Sequence, residues 1–502
     1  MKKIILLQIC LYSFVVSQAQ NEFHYFNKTY GPDINLSNNL PAISNGSVAI
    51  KNNNDSYMVF GAMANDVHGE LTITNVNDLG FVNWIALIDT GIAFRSLSFG
   101  NSLERTLDNN FVATAIRGVD ELNTNYLLIK FSSTGEVLWS KEYAHAGMEN
   151  HAQVVVCEEG GYLLVGVTVT GNSYQTYLIR TDDFGEVMWE REIGDVAIPL
   201  YAEQTQDNGF IISGYHYNTT TGYDMYVLKT DAEGIVEWEN TYGTDESDGG
   251  SAVIQLANGN YALIGRIDNG SDTKSGLYFA NLNAMGEVIL DKTYFGSNKI
   301  YGHAGIPHLK ANGEIVIATL HYGAPAFTWE VALTFLSAEG EILSEKPLSS
   351  GLGGEDYIRD LEPTADGGYI LSGFNLTSPQ RSWVVKTDEF GNTCGLAPCD
   401  STIIQLIDTG TYINNTKDKA FPFSIRPNPV IDRCFIDYEL SAKYPFSVLE
   451  LYNLKGEKVH HTLLSSHETT AQMDIAHLTS GIYLYKVSDI DGVLASGKLV
   501  KE

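Results

Sequence analysis

Basic residues are scarce in this sequence of 502 residues. It has 31 Lys and Arg against 61 Asp and Glu, which gives a formal net charge of -30. Nucleic acids and anionic membrane surfaces attract proteins through clustered Lys and Arg. We therefore expect no nucleic-acid partner and no attachment to an anionic lipid surface.

Proline and cysteine are also infrequent, with 13 and 5 residues, whereas Gly and Tyr are numerous, with 47 and 28. Hydrophobic residues make up 44% of the chain, which is more than a disordered chain carries. Frequent Gly beside Tyr, Val and Ile is typical of short strands joined by tight turns. The composition thus favours an all-β globular protein.

A long apolar run occurs only at the N-terminus. Met1-Lys2-Lys3 precedes apolar residues 4–16, and Ser17-Gln18-Ala19 follows them. A basic start, a short apolar segment and small residues before the cleavage point predict a signal peptide over residues 1–19. The run is short for a transmembrane helix, so an anchored N-terminus is the less favoured alternative, and no other segment of the sequence is long and apolar enough to form one.

Four of the five cysteines follow the signal peptide. Cys394 and Cys399 flank the turn-prone sequence Gly-Leu-Ala-Pro, and we predict a disulfide between them because export permits one. Cys157 lies in an apolar run and is expected to be a buried thiol. No Cys or His stands nearby at the spacing of zinc ligands, so we predict neither a metal nor a cofactor.

An internal repeat is the strongest pattern in the sequence. A turn and then an apolar strand that ends in Gly or Ala occur seven times, about every 52 residues, with the strands ending at positions 61, 115, 166, 214, 265, 318 and 373. A strand, a Gly turn and another strand follow each copy, with the glycines at positions 91, 135, 185, 234, 286, 340 and 391. Units of about 50 residues with four short strands predict a seven-bladed β-propeller over residues 20–400.

Two further features concern how the units fit together. Trp139, Trp189 and Trp238 stand four residues after their turn glycines, and a large aromatic at one repeat position suits packing between neighbouring units. The seventh unit lacks an outer strand, while residues 23–31 resemble one. We predict that this N-terminal strand completes the last blade and closes the ring, which removes open sheet edges.

Acidic residues recur in the turns 181–185, 230–234 and 387–391. A calcium loop supplies six to eight oxygen ligands, and only one or two side-chain ligands can be named in each turn. An Asp that bonds its own backbone, followed by a Gly at positive φ, is what a hairpin turn requires. We interpret these acids as turn residues.

Ligand binding is expected on the face that carries the variable connections. These connections join the second and third strands of a blade and join successive blades, and binding residues concentrate on such loops. Aromatic rings beside carboxylates and amides suit a sugar, although the same residues also serve to pack loops or stay solvated. The candidate ligand-binding residues are Glu149, His151, Tyr201, Asp248, His303, Asp356, Tyr215, Tyr322 and Trp329.

Catalysis has weak support in the sequence. A glycosidase needs two carboxylates across the scissile bond, and Asp248 with Asp356 or Glu149 is the candidate pair. The sequence contains no Gly-x-Ser-x-Gly, no His-Glu-x-x-His and no phosphate loop, and we assign no catalytic residue. We expect a protein that binds an extracellular glycan or protein; a polysaccharide-cleaving enzyme and a structural or adhesive surface protein are the alternatives.

The repeat ends near residue 400. Residues 401–420 are typical of a polar linker. Residues 421–502 are near neutral, with eight Lys and Arg against ten Asp and Glu, so the acidity belongs to the repeat region. Alternating strands and turns predict a small β-sandwich over residues 421–502.

Four motifs of this C-terminal module occur in order: Arg426-Pro427-Asn428-Pro429-Val430, Leu451-Tyr452-Asn453-Leu454-Lys455-Gly456, Leu478-Thr479-Ser480-Gly481-Ile482-Tyr483 and Gly497-Lys498-Leu499-Val500-Lys501-Glu502. Together they resemble the type A C-terminal sorting domain of the type IX secretion system, over roughly the last 80 residues. Cys434 departs from the family pattern. On this resemblance the sorting residues are Pro427, Asn428, Pro429, Gly456, Gly481, Tyr483 and Lys498.

The resemblance implies a Bacteroidetes-type bacterium and export through the outer membrane. It implies the secretion translocon and a sortase as partners, removal of the domain, and either release or attachment at the cell surface. The repeat region resembles, less specifically, uncharacterised exported β-propeller repeat proteins, some of which carry an endoglucanase-like label.

Overall fold

The computed structural model describes residues 26–31, 43–52, 56–64, 69–88, 94–96, 102–118, 124–145, 148–170, 173–194, 197–268, 270, 275–296, 299–323, 328–376, 381–393, 403–405, 411–413, 423–438, 446–453, 458–465, 469–489 and 492–501. Every regular element among them is a β-strand, which confirms the all-β prediction. None of these residues lies in a helix that is long and apolar enough to cross a bilayer. The signal peptide, Cys394, Cys399 and Gly456 lie outside the described residues.

The strands of the repeat region are, in chain order, β1 (Phe26–Gly31), β2 (Ile43–Asn52), β3 (Ser56–Ala64), β4 (Gly69–Asn77), β5 (Val82–Ile88), β6 (Phe94–Ser96), β7 (Leu103–Arg105), β8 (Phe111–Gly118), β9 (Thr124–Phe131), β10 (Val137–Tyr143), β11 (Met148–Val156), β12 (Tyr162–Thr170), β13 (Ser173–Thr181), β14 (Val187–Ile193), β15 (Ala197–Gln204), β16 (Phe210–Asn218), β17 (Gly222–Thr230), β18 (Val236–Tyr242), β19 (Gly249–Gln255), β20 (Tyr261–Asp268), β21 (Ser275–Leu282), β22 (Val288–Tyr294), β23 (Lys299–Leu309), β24 (Ile315–Gly323), β25 (Thr328–Leu336), β26 (Ile342–Leu348), β27 (Asp356–Pro363), β28 (Tyr369–Asn375) and β29 (Arg381–Thr387).

These strands form antiparallel sheets that follow one another along the chain. In the described part of the repeat region they are sheet 1 (β2–β5), sheet 2 (β6–β10), sheet 3 (β11–β14), sheet 4 (β15–β18), sheet 5 (β19–β22), sheet 6 (β23–β26) and sheet 7 (β27–β29 with β1). The first strands contact one another in the order β2, β7, β11, β15, β19, β23 and β27, and β27 contacts β2 again. A circular order of this kind is the arrangement of a propeller-like fold.

The hydrophobic core is divided among the spaces between neighbouring sheets. Because most sheets are covered on both faces, inner strands such as β12 and β28 are buried almost along their whole length and carry continuous apolar runs. Core residues of successive sheets that belong to one buried cluster are Phe60 and Phe111, Val112 and Leu164, Leu163 and Ile212, Met225 and Leu263, Ile264 and Ile317, Leu333 and Leu371, and Val384 and Val59.

Tryptophan side chains of the outer strands cover turn glycines of the next sheet. A Cβ on Gly234, which has a φ of 73°, would lie 2.6 Å from the ring of Trp189. The same relation joins Trp84 to Gly135, Trp139 to Gly185, and Trp238 to Gly286. The predicted role of the repeated Trp in packing between units is therefore what the structure shows.

In several outer strands a tyrosine stands four residues after the position that holds Trp in sheets 1 to 4. Its hydroxyl makes a hydrogen bond to the turn glycine of the next sheet. The hydroxyls donate to the glycine carbonyl of the next sheet, in the pairs Tyr143–Gly185 (2.8 Å), Tyr242–Gly286 (2.6 Å), Tyr294–Gly340 (2.9 Å) and Tyr30–Gly80 (2.8 Å). The last pair joins sheet 7 to sheet 1, so the seam between the ends of the repeat region uses the same contact as the other seams.

The N-terminal strand β1 is the outer strand of sheet 7. It pairs antiparallel with β29, from Phe26 opposite Lys386 to Tyr30 opposite Ser382. The Trp383 indole donates to the side-chain oxygen of Asn27 at 2.6 Å. Phe26 takes the place of the Trp in this strand, since its ring would lie 2.7 Å from a Cβ on Gly80.

The hairpin glycine of the first sheet is Gly80, and the assignment of Gly91 was wrong. The turn between β4 and β5 places Gly80 at a φ of 79°, with its N–H donating to the carbonyl of Asn77 at 2.9 Å. Gly91 comes after β5 and lies outside the described residues. Both glycines follow an apolar strand and an Asp, so strand pairing was needed to distinguish them.

Part of the segment expected to be a linker adds to sheet edges. Strand β30 (Ile403–Gln405) pairs parallel with β1, and β31 (Thr411–Ile413) pairs parallel with β5. These short strands therefore extend the outer edges of sheets 7 and 1, the two sheets that meet where the ring closes.

The C-terminal module contains a further seven strands, β32 (Phe423–Arg426), β33 (Arg433–Tyr438), β34 (Phe446–Tyr452), β35 (Lys458–Ser465), β36 (Thr470–Asp474), β37 (Gly481–Asp489) and β38 (Gly492–Lys501). One sheet has the order β32-β33-β36 and the other the order β35-β34-β37-β38. Residues from both sheets, including Ile436, Met473, Leu449 and Leu499, share one core.

Removal of residues 21–31 is expected to lower the melting temperature sharply, because it deletes β1 and exposes the edge of β29. Thermal unfolding followed by circular dichroism would measure the change. An unchanged melting curve would contradict the closure of the ring by β1.

Replacing Gly234 by Ala is expected to destabilise the protein more than replacing Gly259 by Ala. Both glycines have positive φ, 73° and 83°, so both variants bear a backbone cost of about 1–2 kcal/mol. A Cβ on Gly259 meets nothing within 4 Å, whereas one on Gly234 displaces Trp189, which adds about 1–3 kcal/mol. Denaturant unfolding of both variants would measure the difference, and equal losses would show that the Trp contact contributes nothing.

Candidate functional site

Acidic side chains of the hairpin turns bond their own backbone. The Asp182 carboxylate accepts the N–H groups of Phe184 and Glu186, both at 2.9 Å. Asp231 and Asp388 make the same two bonds in their turns, at 2.7–3.0 Å. This geometry is the turn chemistry inferred from the sequence.

Two ends of the ring can be distinguished by their connections. The turn face carries the short turns between first and second strands and between third and fourth strands, such as 157–161 and 182–186. The loop face carries the connections between second and third strands and between sheets, such as 218–222 and 243–248. The candidate residues derived from the sequence were expected at the loop face.

Glu149, Asp248 and Asp356 occupy the same repeat position. Each stands thirteen residues before the Tyr that opens the second strand of its sheet, at Tyr162, Tyr261 and Tyr369. All three carboxylates are buried, at the loop-face start of the first strand. Their equivalence was visible in the spacing of the sequence.

The Asp248 carboxylate ties together the segments around it. It accepts the backbone N–H of Asp268 at 2.5 Å, the hydroxyl of Thr244 at 3.1 Å and the backbone N–H of Thr244. Burial is the main cause that raises the pKa of this carboxyl, and the hydrogen bonds oppose the shift. These bonds connect the end of β20 to the entry of β19.

Asp356 has the same type of surroundings in sheet 7. Its carboxylate accepts the backbone N–H of Ser350 at 2.9 Å, the hydroxyl of Ser349 at 3.2 Å and the side-chain amide of Asn375 at 2.7 Å. Asp248 and Asp356 thus both join the strand that leaves one sheet to the strand that enters the next.

Glu149 differs because neither of its carboxylate oxygens has a hydrogen-bond partner among the described residues. Its side chain is fully buried, and burial raises the pKa of this carboxyl to about 7. His151 of the same strand, and His303 of β23, lie in described strands, but their side chains lie outside the described residues.

Tyrosines of sheet 4 form an aromatic cluster at the loop face. Tyr223 contacts Tyr215 with ring centroids 5.0 Å apart and Tyr217 with centroids 5.3 Å apart, both edge-on. Tyr217 and Tyr223 are 44% and 43% exposed. Edge-on contacts fix the orientation of the Tyr223 ring while the cluster stays accessible to solvent.

A second aromatic pair stands at the equivalent position of sheet 6. Tyr322 of β24 lies opposite Trp329 of β25, and their ring centroids are 5.4 Å apart. Tyr217 and Tyr223 are paired in the same way between β16 and β17. Two sheets therefore present aromatic pairs at one repeat position, exposed in sheet 4 and partly buried in sheet 6.

Tyr201 lies elsewhere, among carboxylates that the sequence analysis did not select. We call Glu104, Glu203, Asp360, Glu362 and Tyr201 the inner-ring cluster. They belong to the first strands β7, β15 and β27, and they lie nearer to the turn face than Asp248 and its equivalents. The Tyr201 hydroxyl donates to Glu203 at 3.1 Å, and Glu203 also accepts the backbone N–H of Gln255 at 2.5 Å.

Burial dominates the titration of the inner-ring cluster. It raises the pKa of Glu104 to about 8, with a further contribution from Asp360. It also raises the pKa of Glu203 to about 7 and that of Glu362 well above its usual value, the latter together with Asp360 and Glu104. The Tyr201 pKa rises for the same reason, with contributions from all three glutamates.

A sequence signal for this cluster exists and was missed. Glu-x-Thr-x-Asp occurs in three repeats, as Glu104-Arg105-Thr106-Leu107-Asp108, Glu203-Gln204-Thr205-Gln206-Asp207 and Glu362-Pro363-Thr364-Ala365-Asp366. The Asp of each motif pairs with a buried Lys of the third strand, Lys130, Lys229 and Lys386 respectively. The spacing thus marks both a structural ion pair and an inner-ring glutamate.

The sorting motifs of the C-terminal module are brought together in space. The Asn428 side chain donates to the carbonyl of Lys498 and accepts the N–H of Val500, both at 2.9 Å. Tyr483 is buried and its hydroxyl donates to the carbonyl of Thr479 at 2.7 Å. Pro427 and Pro429 flank Asn428, and Gly481 opens β37. Motifs about 70 residues apart in sequence therefore form one structural unit.

Both described cysteines are buried free thiols. Burial raises the pKa of Cys157 to about 12 and that of Cys434 to about 11. These shifts make both thiols poor nucleophiles at neutral pH. In the described residues, no group of three or more His, Cys, Asp or Glu side chains is arranged to hold a metal ion.

Residues 424–502 match the family model of the secretion system C-terminal sorting domain. This match confirms the resemblance of the C-terminal module to the type IX sorting domain, and the tail therefore indicates secretion by that system. No curated protein matches the chain.

Several solved structures are similar to parts of this chain. A protein of unknown function from Bacteroides caccae has 13% identity and a TM-score of 0.35, covering 57% of this chain and 92% of that chain. One from Dyadobacter fermentans has 10% identity and a TM-score of 0.42, covering 72% and 97%. The polysaccharide lyase Uly1 has 12% identity and a TM-score of 0.45, covering 74% and 94%. Similarities of this size carry no argument about activity.

Replacing Glu104 by Gln is expected to stabilise the protein at alkaline pH and not at acidic pH. The folded pKa, about 8, lies above the ordinary value of 4.5, so the folded state holds a proton that the unfolded state releases. Stability is therefore lost as pH rises between these two values. Thermal unfolding at pH 5 and pH 8.5, roughly the ends of that window, should show a gain only at the higher pH.

Glu233→Gln is the matched control, because it removes the same charge from an exposed turn. If it changed the melting temperature as much as Glu104→Gln does at the higher pH, the effect would come from net charge and not from the burial of Glu104.

Proposed function

We propose that this protein is an exported seven-bladed β-propeller that binds an extracellular ligand, most specifically a glycan, at its loop face. The propeller occupies residues 20–400, and residues 421–502 form a β-sandwich that the type IX translocon and sortase recognise. The protein is thereby secreted or displayed at the outer-membrane surface.

The propeller proposal is supported by the closed order of contacts among the first strands and by the repeated seams. At five of the seven seams an outer-strand Trp or Phe lies on the turn glycine of the next sheet, and Tyr30 makes the closing bond to Gly80. A ring of this kind is rigid, which is what binding loops require of a scaffold.

The glycan proposal depends on the aromatic pairs of the loop face. Tyr217 with Tyr223, and Tyr322 with Trp329, stand at one repeat position in two sheets. Aromatic rings stack on the apolar faces of sugars, and the phenol and indole groups also offer hydrogen-bond donors. Two separated platforms of this type suit a chain of sugars better than a single small ligand.

Replacement of Tyr223 or Trp329 by Ala is expected to weaken glycan binding by about two- to tenfold, because a stacked aromatic contributes about 0.5–1.5 kcal/mol. A glycan array of the full chain would identify the ligand, and titration with that glycan would measure each variant. Phe184→Ala is the control, since Phe184 is 70% exposed in a turn-face hairpin.

The outcomes separate the alternatives. Equal losses in all three variants, or binding to proteins and to no glycan, would contradict the glycan proposal. Release of reducing sugar from a polysaccharide panel, abolished by Glu149→Gln, would indicate a polysaccharide-cleaving enzyme instead. Absence of any ligand would leave a structural or adhesive surface protein.

A further inference from the structure

The seam between sheets 6 and 7 departs from the other seams at its outer strand. The position four residues after the turn glycine holds Trp in sheets 1 to 4, at Trp84, Trp139, Trp189 and Trp238. In sheet 6 the same position, four residues after Gly340, holds Ser344. A place that a large ring fills at four other seams therefore has a small polar side chain here.

Strand register confirms that Ser344 stands at the Trp position. Ser344 of β26 lies opposite Phe335 of β25, directly after the register shift. Trp189 of β14 lies opposite Arg180 of β13 at the same step of its ladder. Side chains that lie opposite each other share one face of a sheet. Because Phe335 contacts Tyr369 of sheet 7, Ser344 faces that sheet as well.

Phe335 replaces part of the contact that the indole makes elsewhere. Its ring lies edge-on to Tyr369 with centroids 6.1 Å apart, and Trp238 makes the same contact to Tyr261 at 5.9 Å. In sheet 4, however, the residue opposite Trp238 is the buried Lys229. Phe335 thus makes the contact of the indole from the position of the lysine, and the position of the indole itself is left to Ser344.

The turn glycine at this seam is also covered less closely than the others. In sheet 7 Phe26 and in sheet 5 Phe279 place a ring on the glycine of the next sheet. A Cβ on Gly391 would instead come nearest to the aliphatic stem of Lys346, at 3.0 Å, and would lie 3.2 Å from the ring of Phe335. Among the seven turn glycines of the repeat, Gly391 has the loosest cover.

A cavity of about 640 Å³ opens at this seam. Ser344 and Phe335 line it from sheet 6, and Phe390 lines it from the hairpin turn of sheet 7. The volume lies within the range of roughly 300–1,000 Å³ that is typical of small-molecule sites. Phe335 is buried and Phe390 is 61% exposed, so the lining offers one inner ring and one outer ring to an occupant.

Two charged side chains of opposite sign line the same cavity, Lys346 and Glu389. Lys346 is half-buried and Glu389 is exposed, and neither makes an ion pair within the described part of the chain. Lys310 and Glu314 also line the cavity, but they pair with each other at 2.7 Å. An available cation and an available anion beside aromatic rings are complementary to a ligand that carries both charges and a ring.

We propose that the cavity between sheets 6 and 7 binds a free aromatic amino acid, whose ring takes the place of the indole found at other seams. The ring contacts Phe335 and Phe390, the carboxylate lies beside Lys346 and the ammonium group lies beside Glu389. Aromatic rings pack favourably edge-on or offset, and the other seams show that an indole fits between two sheets at this position. Tryptophan is therefore the first ligand to test.

This site is separate from the proposed glycan surface. It lies beside the turn-face hairpin 388–392, whereas Tyr223 and Trp329 lie on hairpins of the loop face. Binding of an amino acid therefore does not depend on the proposed glycan function, and either proposal can fail alone.

Isothermal titration of the full chain with L-tryptophan tests the proposal. We expect saturable binding that Phe390→Ala weakens by about two- to tenfold, because an aromatic contact is lost. Phe184→Ala is the matched control. Phe184 precedes the turn glycine of sheet 3 as Phe390 precedes Gly391, and it is 70% exposed, but Trp139 fills its seam. Equal losses in the two variants, or no saturable binding to the unmodified chain, would overturn the proposal.

Ser344→Trp restores the residue of the other seams and fills the cavity from within. We expect it to weaken tryptophan binding by about tenfold or more, because the introduced indole occupies the site. The melting temperature should stay the same or rise, since the ring buries apolar surface. Unchanged binding by a folded Ser344→Trp protein would contradict the proposal. If this variant does not fold, the comparison of Phe390→Ala with Phe184→Ala decides.

Analogues of tryptophan separate the two charges. Indole-3-propionate lacks the ammonium group and tryptamine lacks the carboxylate. Lys346→Gln should weaken tryptophan and indole-3-propionate by about two- to fivefold and leave tryptamine unchanged, as expected for ion pairs near solvent. Glu389→Gln should weaken tryptophan and tryptamine instead. N-acetyltryptophanamide carries neither charge, and if it bound as tightly as tryptophan, the assignment of a free amino acid would be wrong.

Discussion

Neighbouring sheets of the repeat region depend on one recurring contact, an aromatic ring that lies on the turn glycine of the next sheet. A glycine is required at this position for two reasons: its φ is positive, and a Cβ would displace the ring. At some seams a tyrosine hydroxyl donates to the carbonyl of the same glycine, and this hydrogen bond fixes the orientation of the contact. Phe26 and Tyr30 of β1 repeat this arrangement on Gly80. The closing seam therefore has the same chemistry as the seams at Gly185 and Gly286, where an outer-strand Trp and a Tyr make these two contacts.

Carboxylates acquire different roles from their place in this ring. Asp231 bonds the backbone of its own turn and keeps the hairpin in shape. Asp248 accepts bonds from two segments and joins successive sheets. Glu104 makes neither type of bond. It belongs to the inner-ring cluster, where burial raises its pKa. The same functional group thus serves a turn, a junction and an acidic layer, and the net charge of -30 does not distinguish among them.

Local features were predicted well and tertiary ones less so. The turn chemistry of Asp182 and the packing role of Trp189 follow from residues close in sequence, and the spacing of the repeat carries them. Gly91 was chosen over Gly80 because both follow an apolar strand and an Asp, and only the pairing of β4 with β5 separates them. The Glu-x-Thr-x-Asp motif was overlooked because its glutamates matter only when several first strands converge.

By itself the sequence determined the all-β class, the period of the repeat and the sorting tail, because hydrophobic alternation, turn glycines and short motifs are local properties of the chain. Only the tertiary structure decided that Asp248 is tied to backbone groups and that Glu149 is not. It also decided that Tyr201 donates to Glu203, which is partly buried, and that residues 403–405 and 411–413 pair with β1 and β5. Each of these depends on segments far apart in sequence, whose proximity is set by sheet stacking and register and not by the residues next to them.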